Sequence, residues 1–216
     1  METKRTVILL LTALFLFVIL TVFVVTESAL VQTFNDALYA PIAERITPAL
    51  TTVSTWIGSL THWYSYTPII LLLLLLPRTR VKVGLPMAIT LAASAILGPV
   101  ILKNIFAIER PMVNQLIEPG GFGYPSGHSM NAVVFFGMCA IMVLRYSGSK
   151  PLRIGFPIFA LLSILAVGLS RMYLGVHTGT DVIGGYLAGS AVLCGAILIE
   201  NRLKARRRSN SLGGDQ

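Results

Sequence analysis

Six apolar runs separated by short polar stretches organise this chain: Thr6–Val25, about Leu60–Pro77, Val83–Leu102, His128–Leu144, Ile154–Leu169 and about Thr180–Ile199. Each is close to the ~20 residues that carry a helix across ~30 Å of hydrocarbon. The pattern therefore predicts an all-α protein, a bundle of six transmembrane helices. Trp63, Tyr64 and Tyr66 precede the Leu-rich part of the second run and read as an interfacial aromatic belt, so that helix starts between Thr55 and Tyr66. The first run exceeds the ~7–15 apolar residues of a signal peptide and has a poor cleavage pattern near Ser28, so it is expected to span the membrane.

Between the first two runs, the stretch from about residue 27 to 59 is more polar, carrying Asp36, Glu44, Arg45, Pro41 and Pro48. Its apolar residues Leu30, Phe34, Leu38, Ile42, Ile46 and Leu50 recur every four positions, close to a helical stripe. One or two amphipathic helices lying on the outer surface would fit, as a lid, a lipid entrance or plain packing over the bundle. No repeat or low-complexity tract divides the chain. Residues 1–216 are expected to form one integral membrane domain, with its chemistry between 103 and 181 and a basic cytoplasmic tail at 200–216.

At 55% hydrophobic and 12% charged residues, the composition excludes an ordinary soluble domain. Thirteen of the seventeen Lys and Arg residues fall on one side of the six-run threading: Lys4, Arg5, Arg78, Arg80, Lys82, Arg145, Lys150, Arg153, Arg202, Lys204, Arg206, Arg207 and Arg208. By the positive-inside rule that side is cytoplasmic and holds both termini of a multi-pass protein of the cytoplasmic membrane. The net charge of +8 is thereby explained by topology and anionic lipid heads, and no nucleic-acid partner is expected. Cys139 and Cys194 lie in apolar runs without metal-type spacing and read as packed thiols.

Arg45, Lys103, Arg110 and Arg171 remain on the outer side, and three of these belong to segments that hold nearly all the reactive polar groups: K-x6-R-P from Lys103, P-S-G-H from Pro125, and S-R-x5-H-x3-D from Ser170. Cations placed against the charge rule call for a chemical reason. Lys103, Arg110 and Arg171 can neutralise the non-bridging oxygens of a phosphate in transfer, and arginine adds bidentate geometry. Pro125 suits a helix start, so Ser126, Gly127 and the first-turn N–H groups offer an anion site, with His128 entering the membrane span. If the last helix begins before His177, Asp181 shares its face about one turn away. A carboxylate there can fix the imidazole tautomer and leave the other nitrogen free to attack phosphorus. A metal centre is disfavoured, because two motif histidines and one acid stand among three cations.

Taken together, the three motifs between Lys103 and Asp181 resemble those of the type 2 phosphatidic acid phosphatase family, integral membrane lipid phosphatases that share a core with vanadium haloperoxidases and glucose 6-phosphatase. The resemblance implies a six-helix bundle with an extracytoplasmic site, no metal and no cofactor. It implies that His177 is the nucleophile, oriented by Asp181, and that His128 protonates the leaving oxygen. It also implies that Lys103, Arg110, Ser126, Gly127 and Arg171 hold phosphate. Many relatives carry a further arginine or a proline before the Arg-Pro pair, where this chain has Ile108 and Glu109.

The expected activity is hydrolysis of a lipid phosphate or diphosphate through a phosphohistidine, with membrane lipids as further partners and the oligomeric state left open. Undecaprenyl diphosphate, phosphatidylglycerol phosphate and phosphatidic acid, the candidates for small bacterial members, are the expected substrates. A phosphotransferase with an acceptor other than water uses the same residues, whereas a non-catalytic anion binder would not need the complete nucleophile, orienter and acid.

Overall fold

The computed structural model describes residues 2–111, 114–118 and 120–213. Residues 214–216 of the expected basic tail lie outside them, as do the side chains of Arg207 and Arg208. Ten α-helices account for the described architecture: α1 (Glu2–Val25), α2 (Ala29–Ala43), α3 (Pro48–Ser59), α4 (Trp63–Leu75), α5 (Pro77–Thr79), α6 (Leu85–Ala95), α7 (Lys103–Phe106), α8 (Gly127–Tyr146), α9 (Lys150–Tyr173) and α10 (Gly179–Gly213). Two π-helical segments, Arg80–Gly84 and Ile96–Leu102, join α5, α6 and α7 into one continuous helical rod.

Among the described residues, five helical stretches are long and apolar enough to cross a membrane: Thr3–Val25, Pro77–Phe106, Gly127–Tyr146, Lys150–Tyr173 and Gly179–Arg206. The sixth expected span, about Leu60–Pro77, folds as α4 with only 13 residues. At 1.5 Å rise per residue that is ~20 Å, short of the hydrocarbon thickness. Pro77 is the cause of the early stop: a residue preceding proline is driven from the helical region, and Leu76 is extended at φ −81°, ψ 114°. Six hydrophobic runs are thus present, but five helices meet the length of a span.

The central packing runs α1 against α10, α10 against α8, and α8 against α9. Close contact between α8 and α10 depends on glycine. A Cβ on Gly185 would stand 2.4 Å from the Ser126 carbonyl oxygen, and one on Gly189 would stand 2.7 Å from that of Met130. These backbones leave no room for a side chain, the same logic by which small residues bring membrane helices together. The apolar interior collects Met87, Leu91, Val134, Phe135, Phe136, Met138 and Val167 around α8, which is the most enclosed helix.

The 27–59 stretch folds as the two helices α2 and α3, each capped by a side chain: Ser28 accepts from Leu30 N–H and Thr47 from Leu50 N–H. Their partners are α9 and, for α2, α10. Tyr173 at the end of α9 pins the corner between them, its hydroxyl accepting from Thr47 N–H at 2.9 Å and donating to Thr47 C=O at 3.1 Å.

Candidate active site

The end of the bundle that carries the start of α8, the end of α9 and the start of α10 gathers the polar residues of the three motifs. Ser126 is the N-cap of α8, with its Oγ accepting from Ser129 N–H at 3.4 Å and from Ser129 Oγ at 3.0 Å. Its own hydroxyl proton is left to donate elsewhere. The Gly127 and His128 N–H groups belong to the first helical turn and have no intrahelical acceptor. The loop before α8 is tied down on several sides: Ser126 N–H donates to Asp181 C=O at 2.9 Å and Gly123 N–H to Ile108 C=O at 2.7 Å. Tyr124, fully buried, donates its hydroxyl to Thr21 of α1 at 2.8 Å and stacks on Phe17.

His177 precedes α10 instead of lying on it, so the expected shared helix face is replaced by a tighter device. Thr178 is the capping residue: its Oγ1 accepts from Asp181 N–H at 3.2 Å, while Asp181 Oδ2 accepts from Thr178 N–H at 2.9 Å. This reciprocal pair is a capping box with aspartate in the place of glutamate. The same Oδ2 lies 3.2 Å from His177 Nδ1. Because a carboxylate only accepts, Nδ1 carries the proton and Nε2 presents its lone pair. Burial pushes the His177 pKa down to about 4, partly offset by the Asp181 carboxylate and reinforced by Arg110 and Lys103. The imidazole is therefore neutral at neutral pH.

Arg110 reaches over this histidine. Its Nη1 donates to His177 Nε2 at 3.2 Å and to Val176 C=O at 2.7 Å, while Nε and Nη2 donate to Gly121 and Gly120 carbonyls. Lys103, at the start of α7, is buried and donates to Phe122 C=O. Arg171, only 4% exposed, donates to Ser54 C=O of α3 at 3.3 Å and to the neighbouring Ser170 hydroxyl. Among the described residues no carboxylate forms an ion pair with Lys103, Arg110 or Arg171; Asp181 pairs with His177. Three cations, two of them buried, without a carboxylate ion pair among the described residues leave an excess of positive charge that an anion with more than one negative charge would balance.

Several residues of the site carry no sequence signature. Asn35 of α2 clamps the start of α10, its Oδ1 accepting from Thr180 N–H at 3.0 Å and its Nδ2 donating to Thr180 Oγ1 at 3.1 Å. Gly58 of α3 is the socket for Arg171: a Cβ there would stand 1.4 Å from Nη2 and 2.1 Å from Cζ. His62, just before α4, places its ring centroid 5.9 Å from that of His128. All three histidines of the chain thus meet in one place. Lining residues Ile57, Leu60, Ile69, Phe135, Phe136 and Phe159 form an apolar groove of about 380 Å³ alongside α8. Its floor, Phe135 and Phe136, lies two turns below His128, ~11 Å along the helix at 1.5 Å per residue.

A match to the PAP2 superfamily covers residues 83–205, more than half of the chain and all three motifs. The chain belongs to the PAP2 superfamily. Over 174 residues it is 32% identical to the undecaprenyl-diphosphatase of Sulfolobus acidocaldarius, covering 78% of this chain and 79% of that one. It is 36% identical over 108 residues to phosphatidylglycerophosphatase B of Bacillus subtilis, and this alignment spans only about half of each protein, 49% and 52%. The crystal structure of the transmembrane PAP2-type phosphatidylglycerolphosphate phosphatase of Bacillus subtilis superimposes with a TM-score of 0.78 at 26% identity, over 89% of this chain and 96% of that one. Aquifex aeolicus LpxE shares the fold with a TM-score of 0.57 at 24% identity, over 76% and 93% of the respective chains.

Proposed function

We propose that this PAP2 member is a lipid phosphatase that hydrolyses a phosphomonoester or diphosphate at the outer membrane surface through a phosphohistidine on His177. The observation that carries the reading is His177 Nδ1 held 3.2 Å from Asp181, with Arg110 against Nε2 and with Lys103, Arg110 and Arg171 in no carboxylate ion pair among the described residues. A phosphate entering the site meets Lys103, Arg110 and Arg171, the Ser126 hydroxyl and the Gly127 and His128 N–H groups. Arg110 then exchanges His177 Nε2 for a non-bridging oxygen, uncovering the lone pair it now occupies.

In the first step the His177 Nε2–P bond forms and the P–O bond to the leaving group breaks, its oxygen taking a proton from His128. In the second, neutral His128 removes a proton from water, the new P–O bond forms, the N–P bond breaks and inorganic phosphate leaves. The cations spread along the non-bridging oxygens supply the electrostatic stabilisation that a metal ion gives in other phosphoryl-transfer sites, so no metal is required. The apolar groove beside α8 suits the hydrocarbon chain of the substrate. Undecaprenyl diphosphate is the favoured substrate, since the relative bearing that activity aligns over most of this chain; phosphatidylglycerol phosphate and phosphatidic acid are its competitors.

Phosphate release by the purified protein from these three lipids, in detergent and in vesicles, ranks the substrates. Rapid-quench trapping with radiolabelled substrate tests the intermediate: an acid-labile phosphoenzyme should form in the wild type and disappear in His177→Ala. A labelled His177→Ala protein would refute the assignment.

A further inference from the structure

Resting on the reading of His128 as the leaving-group acid, we infer that His62 is the positioning residue for His128, holding its ring toward the leaving oxygen and sharing its proton. The motif comparison leaves His128 without a companion. His177 has Asp181, Arg110 and a capping turn around it, whereas among the described residues the ring of His128 makes no hydrogen bond and has His62 as its only aromatic neighbour. A general acid whose ring is free to rotate delivers its proton in only a fraction of encounters, so a partner that fixes the ring raises the rate.

His62 is built to be such a partner. It sits in the extended N-cap position of α4, and its side chain makes no capping bond, so the ring is not spent on the helix end. It stacks on Tyr64 with centroids 4.2 Å apart, which fixes its plane. Its Nδ1 is buried and has no hydrogen-bond partner among the described residues, an arrangement that costs free energy unless a proton or a water is shared there during turnover. The two imidazoles, 5.9 Å apart and inclined at 54°, are near enough for one water or a small ring rotation to link their nitrogens. The Arg171 guanidinium is within electrostatic reach of both rings, so a phosphate bound to Arg171 would be close to the pair.

The placement also separates His62 from the nucleophilic side. His177 approaches phosphorus from the α9–α10 connection, while His62 and His128 come from the starts of α4 and α8. A residue on that side affects bond cleavage to the leaving group and should matter in proportion to how poor the leaving group is.

The test uses the full-length purified enzyme and two substrates, a lipid monophosphate with an alkyl leaving group and an aryl phosphate whose phenolate leaves without help. His62→Ala, His128→Ala and the double variant are compared with wild type, with thermal melts recorded for each. His62→Ala is expected to slow the lipid substrate about tenfold, a fraction of the ~10²–10⁴ that a positioned acid contributes, and to leave the aryl phosphate within about twofold. The double variant should be no slower than His128→Ala alone. Equal losses on both substrates, or a further loss in the double variant, would make His62 a packing residue and overturn the inference. Full activity of His62→Ala on the lipid would do the same. If His128→Ala itself shows no leaving-group dependence, the reading of His128 fails and the inference falls with it. A selective effect of His128→Ala with none for His62→Ala overturns the inference alone.

Discussion

Replacing Gly58 by alanine adds one methyl group, and the structure says where it goes: into the guanidinium of Arg171, 1.4 Å from Nη2 and 2.1 Å from Cζ. Carbon and nitrogen atoms in contact prefer ~3.5 Å, so the guanidinium must withdraw by about 2 Å. The long side chain can do this without moving the backbone, which keeps the cost to folding small. The cost to the site is larger. Arg171 gives up its bond to Ser54 C=O and moves off the phosphate position, losing one charge-assisted hydrogen bond worth ~2 kcal/mol. At 1.36 kcal/mol per tenfold, kcat/KM should fall about 30-fold. The assay is steady-state phosphate release with a parallel thermal melt, repeated in an Arg171→Ala background. There the methyl group has nothing to displace, so Gly58→Ala should be silent. A variant of full activity, or one that loses another 30-fold without Arg171, would refute the socket.

Five further outcomes are expected. With the aryl phosphate, kcat/KM should stay flat from pH 7 to about 5 and fall only as pH approaches about 4, because His177 protonates there and not at its ordinary 6.5; a midpoint near 6.5 in the pH–rate profile would contradict this. The same depressed pKa means that the unfolded chain binds a proton the folded one refuses, so this contribution to stability is present above pH 6.5 and lost as pH falls through about 4, which melts of wild type and His177→Gln across that window would compare. Asn35→Ala should lower kcat/KM about tenfold by freeing Thr180 N–H at the start of α10, ~1.4 kcal/mol, with little change in melting temperature; an unchanged rate would remove α2 from the site. Turnover should survive excess EDTA, and a loss reversed by added magnesium or zinc would show a metal site. Glu118→Cys in a Cys139→Ala, Cys194→Ala background places an exposed thiol in the motif loop, and labelling of intact cells with an impermeant reagent should succeed; labelling only after lysis would invert the topology.

Residues with strong spacing signals are legible in the sequence. Lys103, Arg110, Ser126, Gly127, His128, Arg171, His177 and Asp181 do converge, because loops joining adjacent membrane helices at one surface have few places to go. The geometry around His177 was less legible. Thr178 and Asp181 form the T-x-x-D signature of a capping box, yet the pair His177 and Asp181 also reads as two positions on one helix face, and spacing does not separate these alternatives. The second apolar run is less simply read for a local reason: hydropathy continues to Pro77, whereas the helix α4 ends at Leu75. Asn35, Gly58 and His62 gave no warning at all. A glycine in a Ser/Thr-rich helix is unremarkable until the guanidinium it accommodates arrives from a segment more than a hundred residues away.

The PAP2 match begins at Val83, but the socket for Arg171, the clamp on Thr180 and the ring facing His128 all lie upstream of it. The pocket is thus a mould cast in two pieces. One piece carries the residues of the three motifs; the other, α2, α3 and the turn into α4, packs against them. Grafting residues 29–59 of one PAP2 protein onto the core of another would recast only the second piece, so lipid preference would change with His62 and every motif residue left in place.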